Sequence, residues 1–346
     1  MPAAPPIAVG VIANPASGRD MRRLLGWASV FPTAEKVHVV LRLLSAMGSL
    51  GVQEAWMLPD VAGIGHRVRE SAELARCGRG LAMPRVHLLD TRLSDNAADS
   101  TEAAALMRQR GVQLIAVLGG DGTHRAVAKS CADLPLATLS TGTNNAFPEW
   151  REATLVGLAS ALVITGRVPE AIGLRANKRL RVRGEGFDEL ALVDVCLTRQ
   201  LDIGGRAVWR AEDLVDLYAT FAEPTAIGLS AIAGLAHPVS RDDPFGIHVH
   251  FGAGRAVQAP VMPGTIERVE VANLQRLHLG VPVRLQALRG TVALDGEREI
   301  EIDADSVLNL ELDWGGPRTL VVGAVLAQAA RQGLLFSEPG PMDLPG

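Results

Sequence analysis

The chain has 346 residues, enough for two domains that each bury a sizeable core. Its 34 Lys and Arg nearly balance 38 Asp and Glu, for a net charge of −4, which argues against a strongly basic nucleic-acid surface and against an acidic tail. With 48% hydrophobic and 21% charged residues the composition is that of a globular protein, and 5 Trp, 1 Tyr and 7 Phe are too few for a base-stacking platform.

In chain order, residues 7–13 form a continuous apolar run, the pattern of a strand buried on both faces. Residues 37–50 have helical spacing, 52–58 read as a strand, 64–76 as a helix, 86–89 as a strand and 97–110 as a helix closed by Gly111. Residues 112–118 form the clearest buried strand, followed by a helix over 123–131 and a strand over 136–139. This alternation predicts a parallel sheet with helices on both faces, an α/β nucleotide-binding domain over residues 1–150. After Gly166 the pattern changes to short strands at 190–197, 246–251, 266–271, 291–294, 299–302 and 307–312, a mainly β, sandwich-like domain over 151–320. One helical island is predicted at 212–221, with Leu214, Leu217, Tyr218 and Phe221 on a packing or dimer face. A helix within 321–336 is expected to return to the first domain, and 337–346 to form a mobile tail.

Cys77, Cys131 and Cys196 are scattered, with no CxxC pair, so neither a zinc site nor a disulfide framework is expected. No cationic leader precedes the first apolar run, and the longest apolar stretch, 320–330, is far short of a membrane span. The expectation is a cytoplasmic protein with no membrane span and no nucleic-acid partner. The basic residues are almost all Arg, with Lys only at 36, 129 and 178.

Three glycine-bearing loops follow strands of the first domain, where open α/β sheets bind ligands. Asn14-Pro15-Ala16-Ser17-Gly18-Arg19 offers a hydroxyl, a cation and a close-approach glycine. Gly119-Gly120-Asp121-Gly122-Thr123 exposes backbone N–H groups ahead of a helix N-terminus. Thr141-Gly142-Thr143-Asn144-Asn145 is the third. A carboxylate in an anion-binding loop repels phosphate, so Asp121 is either a helix N-cap or a group that meets Mg²⁺ or takes a proton. No GxxxxGK[ST] is present, and no GxGxxG follows the first strand. Asp295-Gly296 has the form of a two-residue β-hairpin turn. His248 and His250 alternate on one strand face, without a third ligand at a suggestive spacing, and read as surface or packed histidines rather than metal ligands. His124 reads either as a phosphate contact or as an exposed first-turn residue. The loop with Asp202 and Gly204-Gly205-Arg206 reads as a connection or as a substrate lip.

Gly119–Thr123 (GGDGT) resembles the signature of the NAD kinase and diacylglycerol kinase superfamily. Asn14–Gly18 (NPASG), Thr141–Phe147 (TGTNNAF) and Asp295-Gly296-Glu297 (DGE) are similar to loops of its lipid-kinase branch. Within the superfamily, the combination of IANPASGRD, LGGDGTHR and STGTNNAFP resembles the acetoin catabolism protein X group. The resemblance implies a nucleotide cleft between an α/β domain and a β-sandwich, ATP as phosphoryl donor, Mg²⁺, and a homodimer. It implies that Asn14, Ser17, Gly18 and Arg19 meet ATP phosphates, and that Gly119, Gly120, Gly122, Thr123, Thr143, Asn144 and Asn145 hold the rest of the nucleotide. Asp121 or Glu297 would accept the proton of the attacking hydroxyl, and Asp295 would meet Mg²⁺, directly or through water. NAD kinases carry an Asn-Glu or Asn-Asp pair where this chain has Val193-Asp194, and a TGSTAY segment where it has 224–231. The acceptor implied is therefore a hydroxyl or enol of a small metabolite, such as the hydroxyketone acetoin. NAD kinase activity and non-catalytic nucleotide sensing are the alternatives.

Overall fold

The computed structural model describes residues 5–18, 27, 31–142, 144–201, 208, 210–286 and 288–336. The sequence candidates Arg19, Thr143, Asp202, Gly204, Gly205 and Arg206 and the tail 337–346 lie outside them. In chain order the elements are β1 (Ala8–Ala13), α1 (Thr33–Ser49), β2 (Glu54–Met57), α2 (Ile64–Arg79), β3 (Arg85–Leu88), α3 (Ala97–Gln109), β4 (Ile115–Gly119), α4 (Asp121–Ala128), β5 (Leu136–Ser140), α5 (Ala153–Ile164), α6 (Glu170–Gly173) and β6 (Leu174–Arg175). There follow β7 (Arg179–Gly184), β8 (Phe187–Ala191), β9 (Asp194–Thr198), β10 (Leu214–Ala219), α7 (Leu229–Ala236), β11 (Phe245–Met262), β12 (Thr265–His278), β13 (Val283–Leu285), β14 (Gly290–Leu294), β15 (Glu297–Ile302), β16 (Leu308–Asp313), β17 (Thr319–Leu320) and α8 (Val322–Arg331).

A seven-stranded sheet has the order β3-β2-β1-β4-β5-β17-β6, parallel from β3 to β17 with β6 antiparallel at the edge. Its central strands are buried along their whole length, which is why their sequences run apolar without alternation. Helices α1 and α5 pack together on one face, and Val322, Val325 and Ala329 of α8 join the same core. The core of residues from 153 to 168 is thus continuous with the α/β core.

The rest is a β-sandwich. A six-stranded sheet, β12-β11-β10-β9-β14-β15, faces a four-stranded one, β13-β16-β7-β8, and both are antiparallel. Leu180, Val182 and Leu310 of one sheet meet Val195, Leu197 and Val292 of the other. Helix α7 covers the outer face of the larger sheet through Ile232 and Ala233. The module joins the α/β sheet by two neighbouring crossings. Gly316 N–H bonds the Asn177 carbonyl at 3.1 Å, and the Asn177 amide donates to the Pro317 carbonyl at 2.7 Å.

Two sequence expectations are corrected here. The predicted helix at 212–221 is a short 3₁₀ turn followed by strand β10. All six residues of β10 are buried, with Leu217 and Ala219 in one core and Val215 and Tyr218 in the other. A strand buried on both faces shows no alternation, and its leucines fell by coincidence at helical spacing. The predicted single strand at 190–197 is two, β8 and β9, broken at Leu192-Val193, where the backbone N–H groups turn to a carboxylate instead of a neighbouring strand.

Candidate active site

The three glycine-bearing loops converge at the C-terminal ends of β1, β4 and β5, and their own side chains lock them together. Asn14 Nδ2 donates to Thr123 Oγ1 at 2.8 Å, while Asn14 Oδ1 accepts from Ala16 N–H at 2.8 Å, closing an Asx turn. The Ser17 hydroxyl lies 2.8 Å from that of Thr141, joining the first loop to the third. Gly18 has φ of 75° and would place a Cβ 2.9 Å from the Thr141 carbonyl, so both its conformation and its space require glycine. Asn145 hydrogen-bonds the Ser140 hydroxyl at 2.7 Å and fills the space a Cβ at Gly142 would occupy.

Lys36, from the first turns of α1, holds the first loop from beneath. Its side chain is wholly buried and its ammonium donates to the carbonyls of Asn14, Pro15 and Ser17 at 2.8, 2.9 and 2.9 Å. The three carbonyls aimed at one cation fix the inner face of the loop, and its Asn14 and Ala16 N–H groups are bonded to the Leu118 carbonyl and Asn14 Oδ1.

Asp121 is not the N-cap of its helix. Gly120 holds that position, and Asp121 is the first helical residue. Its carboxylate instead accepts the N–H groups of Ala146, at 3.0 and 3.2 Å, and Phe147, at 2.9 Å. The carbonyls of these residues accept from Arg241, which lies between α7 and β11 and is anchored by Glu223 at 3.0 Å. Arg241 is buried and stacks over Phe221, 4.1 Å from the ring centre. The turn that carries Arg241 is fastened by Lys178, whose ammonium donates to the carbonyls of Ser240, Asp243 and Phe245. Burial pushes the Lys178 pKa down to about 8, against the opposing charges of Asp243 and Asp242. The Asn144 amide donates to the Val261 carbonyl of β11 at 2.9 Å, and Trp27 N–H donates to Pro263 at the hairpin tip. The β11–β12 hairpin therefore reaches the α/β loops.

The DGE segment closes the site from the sandwich side. Asp295 (φ 52°) and Gly296 (φ 76°) form the tight turn between β14 and β15 that the sequence predicts, with both residues left-handed. The same turn faces GGDGT: a Cβ on Gly122 would stand 3.5 Å from the Glu297 carboxylate. Arg125 of α4 lies between the two segments. Its guanidinium pairs bidentately with Glu299, and its Nε lies 3.5 Å from Asp295. Burial opposes the Arg125 charge, but the Glu299 hydrogen bonds and the charges of Asp295, Glu299 and Glu297 outweigh it and raise its pKa.

The expected magnesium role of Asp295 does not fit this geometry. Its fully buried carboxylate accepts the N–H groups of Leu192, Val193 and Asp194, at 2.8 to 3.3 Å, and faces Arg125. It pins the β8–β9 break to the turn and offers no octahedral oxygen site. Among the described residues no group of three His, Cys, Asp or Glu is placed to hold a metal ion. His124 matches neither of its expected roles. It is completely buried, its Nδ1 bonds the Gly120 carbonyl at 2.8 Å, and burial pushes its pKa down to about 4 against the Gly120 and Val117 carbonyls. The imidazole is neutral and fixes the GGDGT turn from inside. His248 and His250 both bond one oxygen of Asp216, at 2.7 and 2.9 Å, and Tyr218 stacks on His248.

Arg125 closes the LGGDGTHR segment but carried no sequence signal of a role, and Lys36 and Arg241 lie outside every motif. Nothing in its spacing set Arg241 apart. Lys36 had one usable signal, the rarity of Lys in a chain whose basic residues are otherwise Arg.

The fold and the converging loops define an NAD kinase-like protein. Residues 9–168 match the ATP-NAD kinase N-terminal domain, and residues 178–315 match the acetoin catabolism protein X C-terminal domain. Acetoin catabolism protein X of Cupriavidus necator is 43% identical over 343 residues, 96% of this chain and 95% of that protein. The crystal structure of yeast NADH kinase complexed with NADH is similar in fold, with a TM-score of 0.54 at 14% identity, covering 98% of this chain and 91% of that one. The chain belongs to the acetoin catabolism protein X family. No helix among the described residues is long and apolar enough to cross a membrane.

Proposed function

We propose that the protein is an ATP-dependent phosphotransferase that phosphorylates a hydroxyl or enol of a small metabolite, with a short hydroxyketone such as acetoin as the first acceptor to test. The observation that carries this reading is the meeting of Glu297 with Gly122. It sets a carboxylate beside a glycine turn at a helix N-terminus, within the group of loops that this reading assigns to phosphate. In this reading the side chains of Asn14, Ser17, Thr123, Asn144 and Asn145 build the loops, and the backbone of Gly18, Gly119, Gly120 and Gly122 meets the ATP phosphates; Arg19 and Thr143 keep their expected nucleotide roles. Mg²⁺ arrives as the counter-ion of ATP.

Phosphoryl transfer asks the protein chiefly for in-line positioning and charge stabilisation. Both oxygens of Asp121 are engaged by the 146–147 backbone, so we give Asp121 the task of shaping the loop and Glu297 that of base. Glu297 takes the acceptor hydroxyl proton while the acceptor oxygen bonds the γ-phosphorus. The bond from the γ-phosphorus to the bridging oxygen breaks, and its electron pair leaves with ADP.

The name of the Cupriavidus relative favours acetoin as the acceptor, and NAD is the alternative to be tested against it. One observation weighs against NAD. Val193, at the place of the Asn of the NAD kinase pair, is buried in an apolar cluster with Leu192, Phe147 and Phe221, and only the acid, Asp194, is kept. Calorimetric titration with ATP–Mg²⁺ and then NAD, together with phosphorus NMR of ATP and a panel of short hydroxyketones, tests the reading. A phosphorylated hydroxyketone is expected. NADP as the product transfers the chain to the NAD kinase reading, and ATP binding with no product from any acceptor makes it a nucleotide sensor.

A further inference from the structure

We infer that Arg125 is the positioning residue of this site: from within α4 it fixes the Asp295–Glu297 turn against Gly122, so that the Glu297 carboxylate is held toward the reacting hydroxyl. The inference rests on the phosphotransferase reading above.

The argument starts from where the charges lie. Glu297 and Glu299 lie two apart on β15, which is bulged at Glu299, and both carboxylates reach α4, Glu297 at Gly122 and Glu299 at Arg125. Asp295 sits two residues before, at the turn. Three carboxylates are thus gathered on one short segment, and Arg125 acts on all three. Its side chain is only 6% exposed, so its charge is little screened by water.

The three contacts differ in kind, and the difference assigns the roles. The bidentate pair with Glu299 fixes the plane of the guanidinium, which a lysine ammonium cannot reproduce. With that plane set, Nε faces Asp295, whose carboxylate already gathers the N–H groups of Leu192, Val193 and Asp194. The chain of contacts runs from the GGDGT helix through Arg125 to the turn, and from the turn to the β8–β9 break. Without the guanidinium the carboxylates of 295, 297 and 299 repel one another, and the turn is released from the helix that carries Gly122. Glu299 positions Arg125, and Arg125 positions the turn.

The test uses the full chain with Arg125→Gln, Arg125→Lys, Glu299→Gln and the double variant Arg125→Met/Glu299→Met, whose apolar pair fills the site without leaving a buried charge alone. Amide hydrogen exchange at Leu192, Val193 and Asp194 reads the anchoring without reference to catalysis. The pH profile of ATP turnover with the accepted hydroxyketone reads the base. For Arg125→Gln and for the double variant, exchange at these three amides speeds up at least ~10-fold. The acid limb of turnover moves up by about one pH unit or more, because the carboxylate has lost its cation. The Kd for ATP–Mg²⁺ stays within about threefold, since the phosphate loops are untouched. Arg125→Lys returns the acid limb toward its original place because the charge is restored. Glu299→Gln, which keeps the cation but loosens the plane it is held in, moves the limb by clearly less than Arg125→Gln does.

Unchanged exchange at 192–194 and an unmoved acid limb in Arg125→Gln and the double variant overturn the inference. A shifted limb in Glu299→Gln equal to that of Arg125→Gln also overturns it, since the effect would then belong to the hairpin as a whole. Should the unmodified protein bind ATP–Mg²⁺ and phosphorylate nothing, the phosphotransferase reading falls by itself. Exchange at the three amides then decides the anchoring: faster in Arg125→Gln upholds it, unchanged removes it.

Discussion

Asp121 and Arg241 hold opposite edges of the same two peptide groups. The N–H groups of Ala146 and Phe147 point to Asp121, and their carbonyls point to Arg241. One residue belongs to helix α4 of the α/β half and the other to the sandwich half, so the third loop of the site is shaped by both halves of the molecule. Asp121→Asn places an amide NH₂ against backbone N–H groups, and Arg241→Met leaves two carbonyls without donors. Each should weaken ATP–Mg²⁺ binding by roughly 10-fold or more in calorimetry, the range for hydrogen bonds to charged groups. Unchanged affinity in Asp121→Asn together with a hundredfold loss of turnover would return the base role to Asp121.

Glu297→Gln is the complementary experiment. The isosteric amide keeps the turn and loses the proton acceptor, so turnover should fall at least ~100-fold while ATP affinity stays within threefold. Equal losses in affinity and turnover would make Glu297 a binding group.

Lys36→Met tests the buried clamp beneath the first loop. Three carbonyls lose their donor, each at a cost of about 1–3 kcal/mol if it remains buried. Urea denaturation should show a loss of about 3 kcal/mol or more, and ATP affinity should fall with it. Arg at this position does not restore the clamp, because a planar fork cannot aim at three carbonyls that converge on one point. A fully stable Lys36→Met would mean that the loop reorganises and meets water.

His124 sets an acid limit on stability. Its ordinary pKa of 6.5 is lowered to about 4 in the folded protein, so between those values the unfolded chain binds more protons than the native one. The stabilising contribution is complete above pH 6.5 and is lost as the pH falls toward 4, by about 3 kcal/mol in all. Denaturation curves at pH 7 and pH 4 should therefore converge in His124→Gln by about that amount relative to the unmodified protein. Parallel losses in the two proteins would place the acid sensitivity elsewhere.

The sequence disclosed the loops and concealed what holds them. Glycine runs after apolar strands are local patterns, and the Asp295-Gly296 turn is written in two adjacent residues, so both could be read from spacing. The grip of Arg241 on residues 146 and 147 joins positions nearly a hundred apart, and nothing local marks it. Lys36 sits on a helix at a place where a charged residue normally faces solvent. The sequence offered no requirement for lysine at the site, yet Lys36 and Lys178 are each buried among backbone carbonyls. Strand β10 misled for the opposite reason, since complete burial erased the alternation that identifies a strand.

The paired crossings at Asn177 and Pro317 determine how the two halves can move. A module hung on one strand can twist as well as bend, whereas two crossings tied side by side resist torsion. Such a pair would confine any relative motion of the sandwich to a swing about the line through these residues. That line would act as a door pin, with the Asp121–Arg241 grip and the Glu297–Gly122 approach as the contacts such a swing would break. A single backbone cut near Gly316 should leave the halves associated but free the module to rotate, loosening both contacts together.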